Sequence, residues 1–284
     1  MPFFVVIDFA IRENGLEAIV RCGYPTVYLD HWAWLEFSSC QALAARFANA
    51  LKKRNGTVAI SWLNLVEFCR MKDERHGPEA DGLLDSILPN VFFLDSDFGK
   101  VISREDILLA GVASLPPHAD LGLYEHFVGT NLLSPTSLSL LTAHDLFRFA
   151  QASGLAERCD AVADSVVGQI AALREEYTKD QGFRAAVTRL PPKVRIQRGT
   201  RIILREMLRS ILLNPRMTVE GSDVIDIGHA VVPVAYCDYV LLDNDWRTQV
   251  EKARGRIATA GMTFPVAKVF SANSIEDFLR ELES

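Results

Sequence analysis

Short, unbroken apolar runs recur along the chain, separated by longer stretches in which apolar residues return every three or four positions. Thr26–Leu29 (TVYL), Thr57–Ser61 (TVAIS), Asn90–Leu94 (NVFFL), Tyr239–Leu242 (YVLL) and Val266–Phe270 (VAKVF) are short and rich in β-branched or aromatic residues, which predicts strands. Phe3–Ile7 is a further strand candidate. The runs are continuous rather than alternating, as expected of strands covered by helices on both faces. Between them, Trp34–Lys53 reads as a helix stopped by Arg54-Asn55-Gly56, followed by helices over about Trp62–Lys72, Val224–Tyr236 and Trp246–Ala260. Ser274 and Asp277 have the spacing of a capping box that opens a last amphipathic helix, IEDFLREL. Strand and helix alternate at both ends of the chain, so the fold class is α/β with a parallel sheet flanked by helices.

The middle differs. From about Ser103 to Pro215 strand signals are few, and Thr136–Ser153, Leu155–Thr178 and Thr200–Leu213 read as helices punctuated by Pro116-Pro117, Pro135 and Pro191-Pro192. The expected organisation is an α/β domain in two parts, 1–102 and 216–284, interrupted by a mainly helical insertion or subdomain over 103–215.

Composition narrows the class. Hydrophobic residues make up 49% and charged residues 23%, enough for a packed core and against disorder. No apolar stretch is long enough to span a bilayer, and MPFFVVIDFAIREN has no basic region before its short apolar run, so neither a membrane role nor a signal peptide is expected and the default location is cytoplasmic. The five cysteines are scattered without a CxxC pair, which argues against a disulfide framework or a thiolate zinc site. A net charge of −6 counts against a protein that coats nucleic acid passively, but not against an enzyme that gathers carboxylates around a cation.

Acids recur where strands meet helices. Asp30 follows TVYL directly, at the strand end that faces the ligand crevice of an open parallel sheet; as a purely structural residue it caps the next helix. Glu67 lies within two turns of the start of the helix that follows TVAIS, where it can point back to the strand ends; otherwise it is a solvated glutamate. In SDVIDIGHAVVPVAYCDYVLLDNDW, Asp223 and Asp226 share a helix face, and Asp243 and Asp245 follow the next strand. Crowded carboxylates repel and must be protonated or neutralised. A hard divalent cation neutralises them, activates water and offsets the charge that builds on a phosphate during displacement, so phosphodiester hydrolysis is the expected chemistry.

In order and setting, Asp30 in VYLDHWAWLEF, Glu67 in SWLNLVEF, Asp226 in SDVIDIGHA and Asp243 in YVLLDNDW resemble the acidic set of the PIN-like nuclease superfamily, and AKVFSANSIEDFLREL resembles its closing strand and helix. The resemblance covers about residues 24–100 and 216–284. It implies a PIN-like sheet and a magnesium- or manganese-dependent (ribo)nuclease. Asp30, Glu67, Asp226 and Asp243 would be its catalytic and metal-holding residues, with Asp223 and Asp245 supporting the metal. RNA is the expected substrate, with DNA as the other nucleic acid the chemistry admits. Small members of the family are often toxins neutralised by a protein partner, so an inhibitory partner, a toxin role and a homo-oligomer are further expectations. The chain departs from the family pattern at His31 and Trp32, where the family often has Ser or Thr and then Asn, and at Leu241, where a Thr is common. These departures motivate the alternative, a catalytically inactive PIN-like module that binds RNA or a protein.

Other chemistry is thinner. VFFLDSDFG sets Asp95 and Asp97 after a strand, like the Asp-x-Asp start of haloacid-dehalogenase-like phosphatases, but the supporting residues are missing. The histidines form no HxxxH or HExxH pair; His229, three after Asp226, and His31, beside Asp30, border the acidic corner. Arg201, Arg205 and Arg209 share one face of a helix and could track a phosphate backbone, or else form a solvated face paired internally with Glu206.

Overall fold

The computed structural model describes residues 7–12, 15–20, 22–70, 76–88, 90–111, 116–120, 122–123, 151–193 and 199–284. β1 (Ile7–Arg12) and β2 (Gly15–Val20) form a separate antiparallel hairpin. The strand read over Phe3–Ile7 therefore meets the described residues only at Ile7, where β1 begins.

The five apolar runs become one sheet: β3 (Thr26–Leu29), β4 (Thr57–Ser61), β5 (Val91–Leu94), β6 (Tyr239–Leu241) and β7 (Lys268–Phe270). Their order is β5-β4-β3-β6-β7 and every pairing is parallel. Parallel neighbours need long crossovers, and helices supply them. Every residue of β3, β4 and β5 is buried, because both faces are covered.

The covering helices are α1 (His31–Ser39), α2 (Gln41–Lys53), α3 (Trp62–Arg70), α4 (His76–Ile87), α5 (Phe98–Leu109), α6 (Leu155–Lys179), α7 (Gln181–Thr188), α8 (Gly199–Leu212), α9 (Gly221–Tyr236), α10 (Asn244–Thr259) and α11 (Ile275–Glu283). None of the described helices is long and apolar enough to cross a membrane.

Two local expectations are corrected. The helix read over Trp34–Lys53 is two helices, broken where Cys40 turns extended (φ −117, ψ 100). Ser38 and Ser39 donate their hydroxyls to the carbonyls of Leu35 and Glu36, competing with the helix ladder just before the break. The break lets Phe37 and Phe47 pack on each other at 5.0 Å and both meet Phe278 of α11, at 6.2 and 6.0 Å. At the C-terminus the capping box belongs to a 3₁₀ turn, Ala272–Ser274: Ser271 N–H donates to Ser274 Oγ at 2.9 Å, and Ser274 makes no side-chain cap to α11.

The boundary read at 103 falls inside α5. Buried Glu105 of that helix accepts from Thr200 N at 3.1 Å and from the Tyr236 hydroxyl at 2.8 Å, tying α5 to α8 and α9. Ile202, Met207 and Ile211 of α8 share one core with Ile227 and Val231 of α9 and Ile257 of α10. The helix read over Thr136–Ser153 lies outside the described residues up to 150.

Candidate metal centre at the sheet crossover

From β3 the chain moves outward through β4 to β5, then returns to lay β6 and β7 on the other side of β3. The order reverses between β3 and β6, and in an open parallel sheet the crevice at the carboxyl ends of such a pair is where ligands bind. Asp30 and Asp243 stand at this point. Leu29 pairs with Leu241, and Asp30 N–H donates to Leu241 O at 3.1 Å. Each acid also caps the helix that follows: Asp30 Oδ1 accepts from His31 N at 2.8 Å, and Asp243 Oδ1 from Trp246 N at 2.7 Å. The capping role and the crevice position therefore coincide.

Glu67 reaches the same crevice from the second turn of α3, and His229 from α9, one turn beyond Asp226. His229 Nε2 is 3.0 Å from Glu67 Oε2, and its Nδ1 is 3.8 Å from Asp30 Oδ1; His31 Nδ1 is 3.9 Å from Glu67 Oε2. Among the described residues, donor atoms of Asp30, Glu67 and His229 lie within 4.8 Å of one another. Behind His229 runs a buried polar chain. Its Nδ1 is 2.6 Å from the Tyr28 hydroxyl, which is 2.9 Å from Ser61 Oγ. Asn64 Oδ1 takes the Ser61 N–H at 3.0 Å, and Asn64 Nδ2 donates to Leu29 O at 3.0 Å, stitching the ends of β3 and β4 together.

Three groups of the cluster are shifted toward their protonated forms. Burial raises the Asp30 carboxyl, Glu67 and Asp243 raise it further, and His229 opposes them. Asp226 is pushed up to about 7, first by burial and then by Asp30, against a hydrogen bond from Trp246. For His229 burial pulls the imidazole down, but Glu67 and then Asp30 and Asp226 outweigh it and lift it to about 9. His229 Nε2 and Glu67 Oε2 are buried and face each other at 3.0 Å as an ion pair, with no other polar partner among the described residues. Two buried ligand-type atoms whose only polar partner is each other, beside a second carboxylate, fit a divalent cation, whose carboxylate and imidazole ligands they would be.

The residues read from the sequence divide accordingly. Asp30 and Glu67 converge; Asp226 and Asp243 flank them closely enough to perturb Asp30 or one another. Asp223 is engaged elsewhere: its Oδ2 accepts Glu220 N–H at 2.8 Å in the capping box of α9. Asp245 is exposed in the first turn of α10, where the helix dipole favours an acid. His229 is the donor that the sequence undervalued; its signal was the three-residue step from Asp226, which sets both on one helix face.

Of the three arginines, Arg201 is exposed and Arg205 and Arg209 are half-buried. Arg201 pairs with Asp106 at 2.7 Å, and Arg205 holds buried Glu206 and the carbonyls of Ala186 and Arg189. Arg209, lowered first by burial and then by Arg256, lines an apolar groove with Leu204, Leu208 and Leu212. Asp95 is likewise structural: its Oδ2 is paired with Arg104 and its Oδ1 accepts Asp97 N–H at 2.9 Å, while Asp97 caps α5. Comparison with protein-family models, curated proteins and solved structures finds no match to this chain.

Proposed function

We propose that this chain is a metal-dependent phosphodiesterase of PIN-like type whose substrate is RNA. The observation that carries the reading is the convergence of Asp30, Glu67 and His229 at the β3–β6 crossover, with Asp226 and Asp243 alongside. Asp30, Glu67 and His229 would hold the cation. A bound divalent cation supplies an activated water and offsets charge on the phosphate. Asp226, whose carboxyl is raised by burial and by Asp30, would serve as the general acid or base. Trp246 orients it by a hydrogen bond, and its own backbone N–H fixes Asp243 beside the crevice.

Cleavage of mixed RNA with manganese or magnesium tests this. Asp30→Asn and Glu67→Gln should abolish it, and Asp226→Asn should slow it by about 100-fold or more. Equal cleavage by wild type and Asp226→Asn removes the assignment.

One observation favours a second reading, an inactive module that binds RNA or a protein. His229 lies between two carboxylates with its pKa raised, so an imidazolium serves as the cation there. The departures at His31, Trp32 and Leu241 agree with it. Calorimetry at neutral pH separates the two readings: absence of manganese binding selects the module.

A further inference from the structure

Resting on the reading of the site as a metal centre, we infer that Tyr28, Ser61 and Asn64 form a one-way hydrogen-bond chain that keeps His229 protonated at Nδ1 and presents Nε2 as a nitrogen ligand, so that the site prefers a divalent first-row transition ion to magnesium.

The direction of the chain follows from its far end. Leu29 O can only accept, so the Asn64 group 3.0 Å from it is the amide nitrogen, and the Asn64 oxygen is the atom that meets Ser61 N–H at 3.0 Å. That oxygen also only accepts, so the Ser61 hydroxyl, 3.3 Å away, donates to it. Ser61 has one hydroxyl proton, now spent, so at 2.9 Å it accepts from Tyr28. Tyr28 has spent its proton in turn, so its oxygen accepts from His229 Nδ1 at 2.6 Å. Tyr28, Ser61, Asn64 and His229 are all 0% exposed, so bulk water does not compete to reverse the chain. Asp30 Oδ1, at 3.8 Å, is too far to take the Nδ1 proton instead.

The proton on Nδ1 is thus present whether the ring is neutral or charged, and only Nε2 changes state. Nε2 faces Glu67 Oε2 at 3.0 Å and has no other partner among the described residues, while Asp30 Oδ1 approaches the ring from the Nδ1 side at 3.8 Å. A polar group behind a ligating histidine commonly fixes its tautomer in this way. Imidazole suits transition ions, whereas magnesium is served by carboxylates and water.

Two measurements on the full chain test the inference. Nitrogen-15 NMR of histidine, in metal-free protein above the imidazolium titration, should find His229 protonated at Nδ1; a proton on Nε2 overturns the inference whatever the metal does. Calorimetry should then find manganese bound more tightly than magnesium, and Tyr28→Phe should weaken manganese by about 10- to 100-fold while magnesium changes little. Ser61→Ala, which frees Tyr28 to donate to Nδ1, is a second variant with the same expected result, and circular dichroism checks that both variants fold. Manganese affinity unchanged in a folded variant overturns the inference alone. A wild type that binds neither ion overturns the metal-centre reading as well.

Discussion

His229→Gln perturbs the centre most directly, because it removes the imidazolium that faces Glu67, Asp30 and Asp226. The imidazole rises from 6.5 to about 9 in the folded chain, and at about 1.4 kcal/mol per pH unit that corresponds to about 3 kcal/mol of stability on a fully buried group. The folded value lies above the unfolded one, so the stabilisation is complete below about pH 6.5 and is lost as the pH rises through about 9. Urea denaturation with a chelator present should therefore separate wild type from variant by about 3 kcal/mol near pH 6, with the gap closing towards pH 10. Glutamine keeps a polar head at the site, so the effect reads charge more than lost volume. A gap that stays constant across this range would show that the cost is packing, and a gap under about 1 kcal/mol at pH 6 would refute the claim that His229 balances the carboxylates.

Three further expectations concern the scaffold. Glu206 is buried between Arg205 and Arg256, the latter at 2.7 Å, so Glu206→Gln leaves two arginines uncompensated and should cost about 3 kcal/mol by urea denaturation. A Cβ on Gly228 would meet Leu63 Cδ1 at 2.5 Å, but that is the tip of a half-buried side chain that can turn aside, and alanine favours the helix, so Gly228→Ala should change stability by under about 1 kcal/mol; a larger loss in urea denaturation would show that Leu63 is held in place. His118, stacked on Tyr236 at 4.0 Å, is driven down to about 3 by burial and by Arg104. Because the folded value lies below the unfolded 6.5, melting temperature should fall as pH drops from about 6.5 towards 3, and His118→Phe should flatten that slope; an unchanged slope rejects His118 as its source.

Much of the scaffold is legible locally. Continuous runs of β-branched and aromatic residues mark all five sheet strands, two of them, 26–29 and 57–61, at their observed bounds, because a strand covered on both faces has no polar face to encode. The break at Cys40 had no proline or glycine to announce it; it is set by how Phe37 and Phe47 both reach Phe278, far along the chain. The acids at 30, 67, 226 and 243 are visible as strand–helix junctions, but junctions do not say which acids meet. Asp223 and Asp226 share a periodicity, and only the capping geometry of Glu220 takes the first away. His229 joins Glu67 and Asp30 because α9 turns that face toward α3 and β3, and Asp30 meets Asp243 because β6 returns to pair with β3. The sequence thus determined the elements and the acids at their ends. Their convergence depends on strand order and core packing between residues some two hundred positions apart, so only the tertiary structure decided it.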